Sequence, residues 1–464
     1  MEYMNVLYIG AGFVGVCSAA VAADGGHTAL VFDIDEKKVH AFGSGDKNTI
    51  DSCLYEKGLS DLLTTHADRI RFTTAYKEVD AFLDTCDLIF ICLPTPEVAE
   101  TGESNLSYYY AGLEKIAASL MLRNDGRQTQ YIAIVNKSTV PINMADETQR
   151  VLESHGVRNV GVVSNPEFLV EGKAIEGSLH PDRIVIGAWT EKDFSVLRRF
   201  YERFVDVPDT QYIEVNPKEA AAGKLLANYY LFAKLAVCFD VIGRTAESFA
   251  DVQFESLKKI VSSDARIGSW GFHDSLYAGG SCLIKDTRSL AYQLHEVGQD
   301  VSLLQETYDA NNRQLDLFLA RATTEAGVVW KEKKIALLGT AFKRDTNDVR
   351  NSPSFHIVEV CQEQQVSQIV IYDPSAMSTF QQHVPSSELI QYVDSAEMAV
   401  NQADIIIIAT DWPSFKNVST IVLQQEKKPL IMDGRRLLQE GYSALRQHGC
   451  DIIAVGSPFL PKQV

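Results

Sequence analysis

The chain has 464 residues, a formal net charge of −18 and an apolar fraction of 46%. This length is too great for one hydrophobic core and predicts two or three domains. The negative charge argues against nucleic acid or an anionic membrane as a partner, because both attract basic surfaces. Any anionic substrate must therefore meet a local cluster of Lys and Arg.

The N-terminus and the cysteines favour a cytoplasmic protein. The opening residues MEYMNVLYIG lead directly into a strand, without the basic segment of a signal peptide. No stretch is expected to be apolar for long enough to span a bilayer. The eight cysteines include no C-x-x-C pair, so neither disulfides nor a zinc site is predicted. A reducing compartment is the simplest interpretation.

Short apolar runs alternate with helical stretches along the first part of the chain. Runs of continuous apolarity are typical of a parallel sheet covered on both faces, and they lie at 6–9, 29–32, 88–93, 132–135 and 162–163. Near Asn216 and Pro217 the pattern changes, and residues 224–242 predict one long buried helix. After about residue 331 strand-like runs resume, at 335–338, 369–372, 405–409, 430–432 and 452–455.

The first strand leads into the motif GAGFVG at residues 10–15, and the next strand ends at Asp33. Gly10 permits a tight turn, Gly12 lets the backbone approach a pyrophosphate, and Gly15 lets the following helix pack closely on the sheet. Asp33 would bind the ribose hydroxyls, and the acidic residues after it would repel a 2′-phosphate. The pattern predicts NAD as the cofactor, although FAD proteins use the same turn.

Five further segments follow predicted strands or lie on the long helix. They are NKSTVP at 136–141, NPEFLVEG at 165–172, KLLAN at 224–228, GGSCLIKD at 279–286 and FKRDTNDVR at 342–350. Together and in this order they resemble the UDP-glucose/GDP-mannose dehydrogenase family, over nearly the whole chain. The resemblance implies NAD-dependent oxidation of a nucleotide-sugar alcohol to a carboxylate.

That oxidation removes two hydrides and passes through an aldehyde. A thiolate that captures the aldehyde as a thiohemiacetal holds it in place, and loss of the second hydride gives a thioester for water to hydrolyse. Cys282 fits the nucleophile, because it adjoins a Gly-Gly turn and Lys285 favours the thiolate. The alternative for Cys282 is a small buried filler.

Other groups would stabilise oxyanions and manage protons. The resemblance implies that Lys224 and Asn228, at i and i+4 on one helix face, stabilise the oxyanion, and that Glu167 is the general acid/base. Asp286 and Thr139 would position the hydrolytic water. The alternatives are a solvated helix charge for Lys224 and a helix cap for Glu167.

The fingerprint and the resemblance predict two sets of ligand contacts, and no metal motif is present. The expected cofactor contacts are Gly10, Gly12, Phe13, Val14, Gly15, Asp33, Lys38, Thr95, Ser138, Thr139, Glu171, Lys285 and Arg350. The expected nucleotide-sugar contacts are Phe168, Leu169, Lys224, Asn228, Arg266, Gly279, Phe342, Lys343 and Arg435. Any single arginine among them could instead be an ordinary surface ion pair.

Four positions depart from the family pattern without removing a catalytic group. Tyr277 and Asn143 stand where the family has Gly, and Ile284 and Lys57 stand where it has Pro. Tyr277 lies nearest the expected sugar site, so it leaves the identity of the hexose open.

The predicted fold is α/β, with two Rossmann-like doubly wound lobes joined by a helical central domain with one long helix. We expect an NAD-binding domain at residues 1–215, a central domain with the catalytic cysteine loop at 216–328, and a nucleotide-sugar-binding domain at 329–464. The lobes share no motif, so no sequence repeat is predicted. The central helix is expected to form a homodimer, because its apolar surface needs cover on several sides.

The leading functional hypothesis is oxidation of UDP-glucose to UDP-glucuronate with reduction of two NAD. The same chemistry on a UDP-N-acetylhexosamine or GDP-mannose is an alternative. A β-hydroxyacid dehydrogenase, which needs neither the thiol nor a second α/β lobe, is a competitor. So is a catalytically silent regulatory protein that binds NAD or a nucleotide sugar.

Overall fold

The computed structural model of the protein describes residues 3–123, 130–205 and 209–463. The chain divides into two compact units. The first comprises residues up to Ala227 together with Tyr292–Gly298, and the second comprises Asn228–Ala291 and residues from Gln299 onward. Each unit is built on one β-sheet, and the long helix contributes residues to both units.

The sheet of the first unit has eight strands within the described residues. Six of them are parallel in the order 3-2-1-4-5-6 of the Rossmann fold, and the last two extend the sheet with one antiparallel junction. The strands are β1 (Asn5–Ile9), β2 (Thr28–Phe32), β3 (Ile70–Thr73), β4 (Leu88–Ile91), β5 (Ile132–Asn136), β6 (Val160–Ser164), β7 (Arg183–Gly187) and β8 (Gln211–Val215).

Helices cover this sheet on both faces, and the strand side chains between them are buried in two apolar clusters. The helices are α1 (Phe13–Asp24), α2 (Glu36–Gly43), α3 (Lys47–Cys53), α4 (Leu59–Thr65), α5 (Tyr76–Phe82), α6 (Ser107–Arg123), α7 (Met144–Ser154), α8 (Ala174–Leu179) and α9 (Glu191–Val205), with a 3₁₀ turn at Leu83–Thr85.

The middle of the chain is helical. Its helices are α10 (Pro217–Ala236), α11 (Arg244–Ser248), α12 (Phe254–Ser262), α13 (Leu283–Glu296) and α14 (Ser302–Thr324). A π-helical segment, Val237–Gly243, joins α10 to α11. Proline at the first position of α10 is favourable, because that position needs no intrahelical N–H donor. The long helix therefore begins at the predicted change of pattern.

The sequence expectation about membrane length is wrong for this helix. Residues Pro217–Ser248 are long and apolar enough to cross a bilayer, and an 18-residue window within them has a mean hydropathy of 1.6. Several side chains on the helix, including Phe232 and Phe239, nevertheless pack in the core of the second unit. The helix also carries the buried Asp240, which pairs with Arg244 and Arg313. These features are those of a core helix in a soluble protein.

The second unit contains a six-stranded sheet within the described residues, and all its strands are parallel. Its strands are β9 (Lys334–Leu338), β10 (Gln368–Tyr372), β11 (Ile390–Tyr392), β12 (Ile405–Ile408), β13 (Leu430–Asp433) and β14 (Ile452–Ala454). Its helices are α15 (Pro353–Glu363), α16 (Met377–Gln381), α17 (Ala396–Val400), α18 (Val418–Leu423) and α19 (Tyr442–Gln447), with 3₁₀ turns at Pro413–Asn417 and Gln439–Gly441.

The two sheets repeat one design that the sequence does not reveal. The strand order of the second sheet, β11-β10-β9-β12-β13-β14, is again 3-2-1-4-5-6. Each first strand is followed by a glycine of positive φ, 106° at Gly10 and 98° at Gly339. Each second strand is followed by an aspartate that accepts backbone N–H groups from the glycine turn, Asp33 in one lobe and Asp373 in the other. The predicted fold class of two Rossmann-like lobes is confirmed.

The turn at Gly339 gives a test of this design. A Cβ at Gly339 would lie 2.4 Å from the Thr410 Cβ and 2.7 Å from the Thr410 backbone nitrogen. We expect Gly339→Ala to lower the free energy of unfolding by on the order of 2–4 kcal/mol, since both the positive φ and the backbone clash are unfavourable. Gly327→Ala is the control, because its φ of 65° is also positive but nothing lies within 4 Å. Urea unfolding measures the free energy of unfolding of both variants. Equal losses in Gly339→Ala and Gly327→Ala would contradict this account.

Candidate active site

The turn after β1 has the geometry of a dinucleotide site. A Cβ at Gly15 would lie 2.0 Å from the Gly10 carbonyl oxygen, so only glycine lets α1 approach the turn so closely. Gly12 lies immediately before α1, and a Cβ at Gly12 would have nothing within 4 Å. Phe13 and Val14 form the first helical turn and pack against the core. The turn therefore presents N–H groups and the positive helix end to open space, which suits a pyrophosphate.

Asp33 holds this turn and keeps capacity for a ligand. Its Oδ2 accepts the Ala11 N–H at 2.6 Å, and its Oδ1 accepts the Asp35 N–H at 2.9 Å. Each carboxylate oxygen can accept more than one hydrogen bond, so the half-buried group can also bind ribose hydroxyls. Lys38 lies in the first turn of α2, half-buried. The glycine turn and Asp33 thus have the shape and chemistry that a dinucleotide requires, whereas a contact between Lys38 and NAD stays a prediction.

Hydroxyl groups join the loops after β4 and β5. Ser138 Oγ donates to the Leu93 carbonyl at 2.7 Å, and Thr95 Oγ1 donates to the Thr139 carbonyl at 2.8 Å. Ser138 and Thr95 are buried, whereas Thr139 is half-buried. The three predicted contacts therefore shape one edge of the sheet, the carboxyl edge at which α/β proteins bind ligands.

Glu167 and Lys224 form a buried ion pair in the first unit. Their charged atoms lie 3.2 Å apart, with side chains 9% and 5% exposed. Glu167 Oε2 also accepts the Leu169 N–H at 2.6 Å, and Lys224 Nζ lies 5.3 Å from the centre of the Phe168 ring. Glu167 does not begin a helix, since the next one starts at Ala174. Lys224 is not solvated, so both alternative interpretations fail.

Lys137 is a buried cation that the sequence analysis did not single out. Its Nζ donates to Asn165 Oδ1 at 2.9 Å and to the Tyr201 hydroxyl at 3.3 Å. Burial lowers the pKa of Lys137 to about 8; Glu167 raises this pKa and Lys224 lowers it. The signal was its place beside Ser138 and Thr139, but only the fold shows that it is buried.

A cavity of about 650 Å³ lies beside this cluster within the first unit. Its lining includes Lys137, Asn165, Glu167, Phe168 and Tyr201. The volume is within the range of small-molecule sites. The buried charges of Lys137 and Glu167 therefore border a space large enough to hold water or part of a ligand.

Cys282 immediately precedes α13, and its carbonyl accepts the Asp286 N–H at 2.9 Å. Of the eight cysteines, all within the described ranges, it is the exposed one. Burial raises the pKa of Cys92, Cys238 and Cys361 to about 12. A helix N-terminus favours an anion, so Cys282 has both the access and the local field that a reactive thiolate requires.

Asp286 is buried one turn further along α13. Its Oδ1 lies 2.6 Å from Lys285 Nζ, and its Oδ2 accepts a hydrogen bond from Asn228 Nδ2 at 2.6 Å. With only 1% of the residue exposed, these charge-assisted contacts compensate the carboxylate for lost water. Asn228 and Lys285 are thereby held beside the carboxylate that lies one turn after Cys282.

The segment after β9 packs directly on the cysteine loop within the second unit. A Cβ at Gly279 would lie 2.9 Å from the Phe342 Cβ, and one at Gly280 would lie 3.0 Å from the Phe342 ring. Arg435 donates to the Phe342 carbonyl at 2.8 Å and to the Ala409 carbonyl at 2.7 Å. Three predicted substrate residues (Gly279, Phe342 and Arg435) are therefore close together.

Two of the remaining predicted contacts, Arg266 and Arg350, have largely exposed side chains. The Arg266 side chain is 89% exposed and pairs with Asp264, and the Arg350 side chain is 61% exposed and pairs with Asp348. Lys343 Nζ lies 5.5 Å from the centre of the neighbouring Phe342 ring. In the first unit, Glu171 is half-buried in the loop before α8. The ligand-binding roles of these residues stay predictions.

Comparison with known proteins shows similarity along nearly the whole chain. Models of the UDP-glucose/GDP-mannose dehydrogenase family match its NAD binding domain at residues 4–205, its central domain at 218–313 and its UDP binding domain at 336–440. The UDP-glucose 6-dehydrogenase of Rhizobium meliloti (strain 1021) is 31% identical, covering 98% of this chain and 100% of that protein.

Two further relatives show the same similarity. UDP-glucose 6-dehydrogenase TuaD of Bacillus subtilis (strain 168) is 31% identical over 93% of this chain and 89% of its own length. The solved structure of a UDP-glucose dehydrogenase from Pyrobaculum islandicum has a TM-score of 0.84 and 26% identity, covering 95% of this chain and 96% of that chain.

The fold, the dinucleotide turn and the nucleotide-binding second lobe define an NAD-dependent nucleotide-sugar dehydrogenase. The three matched domains together extend from residue 4 to residue 440, and the full-length relatives are named for this class of activity. The chain belongs to the UDP-glucose/GDP-mannose dehydrogenase family. The resemblance inferred from the five segments and the predicted NAD cofactor are confirmed.

The buried Lys137 should make stability depend on pH. Its pKa is about 8 in the folded protein against 10.5 ordinarily, so the unfolded chain binds more protons between these values. Stability should therefore rise with pH across this window. We expect the excess stability of Lys137→Met over wild type to fall by on the order of 2–3 kcal/mol between pH 7 and 10.5.

Chemical denaturation at several pH values measures this difference, because titrating groups that do not interact with Lys137 contribute equally to both proteins. Lys37→Met, at an exposed position of α2, is the control and should show no such trend. A constant difference between Lys137→Met and wild type would contradict the assigned burial effect.

Proposed function

We propose that this enzyme oxidises UDP-glucose to UDP-glucuronate, reducing two NAD and consuming one water. The observation that carries the proposal is the exposed Cys282 thiol at the start of α13, one turn before the buried Asp286. The names of the full-length relatives support UDP-glucose as the substrate. The family match in the second lobe supports a UDP moiety.

In the proposed mechanism, NAD held by the GAGFVG turn and Asp33 would supply the acceptor for the hydride that leaves the sugar C6 carbon in each of two oxidations. Glu167 acts as the general acid/base. It accepts the proton of the C6 hydroxyl in the first oxidation and exchanges protons with the substrate oxygen in the steps that follow. Lys224 and Asn228 stabilise negative charge on the substrate oxygen. The buried pairing of Glu167 with Lys224 holds both groups in defined positions before substrate arrives.

Cys282 attacks the aldehyde carbon, and the carbonyl oxygen becomes the oxygen of a thiohemiacetal. The second oxidation converts this adduct into a thioester. Water adds to the thioester carbonyl and the Cys282 thiolate leaves, which releases the carboxylate. Asp286 and Thr139 position and deprotonate that water, and the partners of Asp286 keep its carboxylate in place.

The binding assignments belong to the same proposal. The cofactor contacts are the GAGFVG turn, Asp33, Lys38, Thr95, Ser138, Thr139, Glu171, Lys285 and Arg350. The sugar-nucleotide contacts are Phe168, Leu169, Lys224, Asn228, Arg266, Gly279, Phe342, Lys343 and Arg435. The domains that carry them are residues 1–215, 216–328 and 329–464, and the enzyme acts in the cytoplasm.

The proposed route predicts the stoichiometry. Wild-type enzyme should form two NADH for each UDP-glucose consumed, and Cys282→Ala should lose at least about a thousandfold in rate, because the covalent route is removed. Absorbance at 340 nm together with product analysis measures both quantities. Cys53→Ala is the control, since this half-buried thiol has no proposed role.

Different results would select the competitors. One NADH per substrate, or full activity in Cys282→Ala, would favour a simple hydroxyacid-type dehydrogenase. Binding of NAD and UDP-glucose without turnover would favour the silent regulatory protein. Because Tyr277 replaces a family glycine near the cysteine loop, the same assay should include a UDP-N-acetylhexosamine and GDP-mannose; a higher kcat/KM with either would reassign the substrate.

The enzyme is proposed to be a homodimer through the long helix. Leu226, Tyr230, Val237 and Val241 are large apolar residues on this helix, each more than half exposed. Their spacings of 4, 7 and 4 residues place them within one stripe. An exposed apolar stripe of this kind is typical of an association surface.

A charge in the stripe should prevent association. We expect Tyr230→Glu to convert the dimer to monomers at micromolar concentration, because an unpaired carboxylate in an apolar interface costs several kcal/mol. Ile260→Glu is the control at a similarly exposed apolar position on α12. Light scattering measures the mass; a monomeric wild type, or a dimeric Tyr230→Glu, would contradict the proposed interface.

A further inference from the structure

The turn that carries Cys282 is held from one side by Asn311 of α14. Asn311 Oδ1 accepts the Ala278 N–H at 2.8 Å, and its Nδ2 donates to the Ala278 carbonyl at 3.1 Å. Asn311 is fully buried. A buried amide that satisfies both polar groups of one residue holds that residue firmly, because breaking either bond would leave a buried group unpaired. Ala278 is therefore the fixed end of the turn.

The segment that follows β9 holds the other part of the turn. Asn351 Nδ2 donates to the Gly280 carbonyl at 3.0 Å, and the Gly280 N–H donates to the Arg350 carbonyl at 3.0 Å. Asn351 has a φ of 51°, a left-handed conformation that Asn tolerates better than most residues. Gly280 is thus bonded through both of its backbone polar groups to Arg350 and Asn351.

The two segments are also too close to move independently. A Cβ at Gly279 would lie 2.5 Å from the Asn351 carbonyl oxygen, so the backbones are in direct contact. Phe342, at the start of the same segment, covers Gly280. Any movement of residues 342–351 must therefore displace Gly279 and Gly280, or break the bonds to Gly280.

Cys282 lies two residues beyond Gly280, where α13 begins. The effect of the helix dipole on a thiolate falls off within one turn, and a misplacement of about 1 Å can cost a hundredfold in rate. The Cys282 carbonyl is already fixed by the Asp286 N–H. The position of the thiol therefore also depends on the turn before it. Gly280 of that turn is hydrogen-bonded to Asn351.

We propose that Asn351 is a positioning residue that links segment 342–350, which carries the proposed nucleotide contacts Phe342 and Lys343, to the Cys282 thiol. Its amide holds the turn in the geometry that favours the thiolate, and nucleotide bound to the segment acts on the thiol through the same contact. The second statement rests on the proposed function, which assigns nucleotide binding to Phe342 and Lys343. The first statement rests on the contacts of Asn351 alone.

Alkylation of Cys282 by iodoacetamide in the ligand-free enzyme tests the positioning role. The rate is followed by mass spectrometry of the Cys282 peptide as a function of pH. Asn351→Gly keeps the left-handed backbone but removes the amide, and Asn351→Asp keeps the shape but places an acceptor against the Gly280 carbonyl. We expect both to lower the alkylation rate at pH 7 by at least about threefold and to move its pH midpoint upward.

Steady-state kinetics separates positioning from general loss of structure. The kcat should fall about 10–100-fold in both variants, while KM for NAD stays within about twofold. Asn159→Gly is the matched control, because Asn159 also has a left-handed φ, of 58°, but lies before β6 in the first unit. Thermal unfolding checks that each variant is folded at the assay temperature. Wild-type alkylation profiles and kcat in folded Asn351→Gly and Asn351→Asp would overturn the proposal.

UDP is the probe for the coupling. In wild type, saturating UDP should change the Cys282 alkylation rate at least threefold. In Asn351→Gly, the ratio of the rates with and without UDP should return toward one. An effect that persists in Asn351→Gly would show simple steric cover, and would overturn the coupling. If calorimetry shows no UDP binding to wild type, the proposed substrate class fails, while the ligand-free experiment still decides the positioning role.

Discussion

The parallel arrangement of the strands determines where the chemistry of this protein lies. In a parallel sheet all carboxyl ends meet at one edge, and each connection must return over a face of the sheet. The segments after β1, β5 and β6 in the first lobe carry the dinucleotide turn, the Ser138 region and Glu167. The segments after β9 and β13 in the second carry Phe342 and Arg435. The glycine turns at Gly10 and Gly339 make this edge accessible, because each lets backbone pass where a side chain would clash.

Local electrostatics run against the overall charge of the chain. The protein is strongly acidic, yet the buried cluster in the first unit contains two lysines, Lys137 and Lys224, and one carboxylate, Glu167. Burying an excess positive charge is costly, which is why the pKa of Lys137 is lowered. The same excess of positive charge would stabilise a negatively charged oxygen of a bound ligand. The loss of stability is therefore consistent with a role of this cluster in catalysis. In the second unit Asp286 is satisfied by Lys285 and Asn228 instead.

Burial on both faces explains which elements could be predicted. All ten predicted strand runs are strands in the structure, because central parallel strands need continuous apolar side chains. The edge strands β3, β8 and β11 were missed, since each contains at least one exposed residue that interrupts the apolar run. β7 has a buried apolar run of the usual kind that the prediction left unassigned. The sequence did not reveal that the two lobes repeat one design. The lobes share a strand order and a glycine turn after the first strand, but not a set of side chains.

The sequence by itself determined the fold class, the cofactor and the family, because these depend on residues close together in the chain: a glycine turn between strand and helix, an acid one strand later, and short motifs at strand ends. It also indicated Cys282 and Asp286, which are neighbours in one motif. Only the tertiary structure decided that Lys137 is buried, that Glu167 pairs with Lys224, and that Asn311 and Asn351 hold the cysteine turn. Asn311 and Asn351 bond residues 33 and 71 positions away. The sequence pattern near a residue carries no information about such partners, because hydrogen bonding and burial depend on which distant segments the fold brings together.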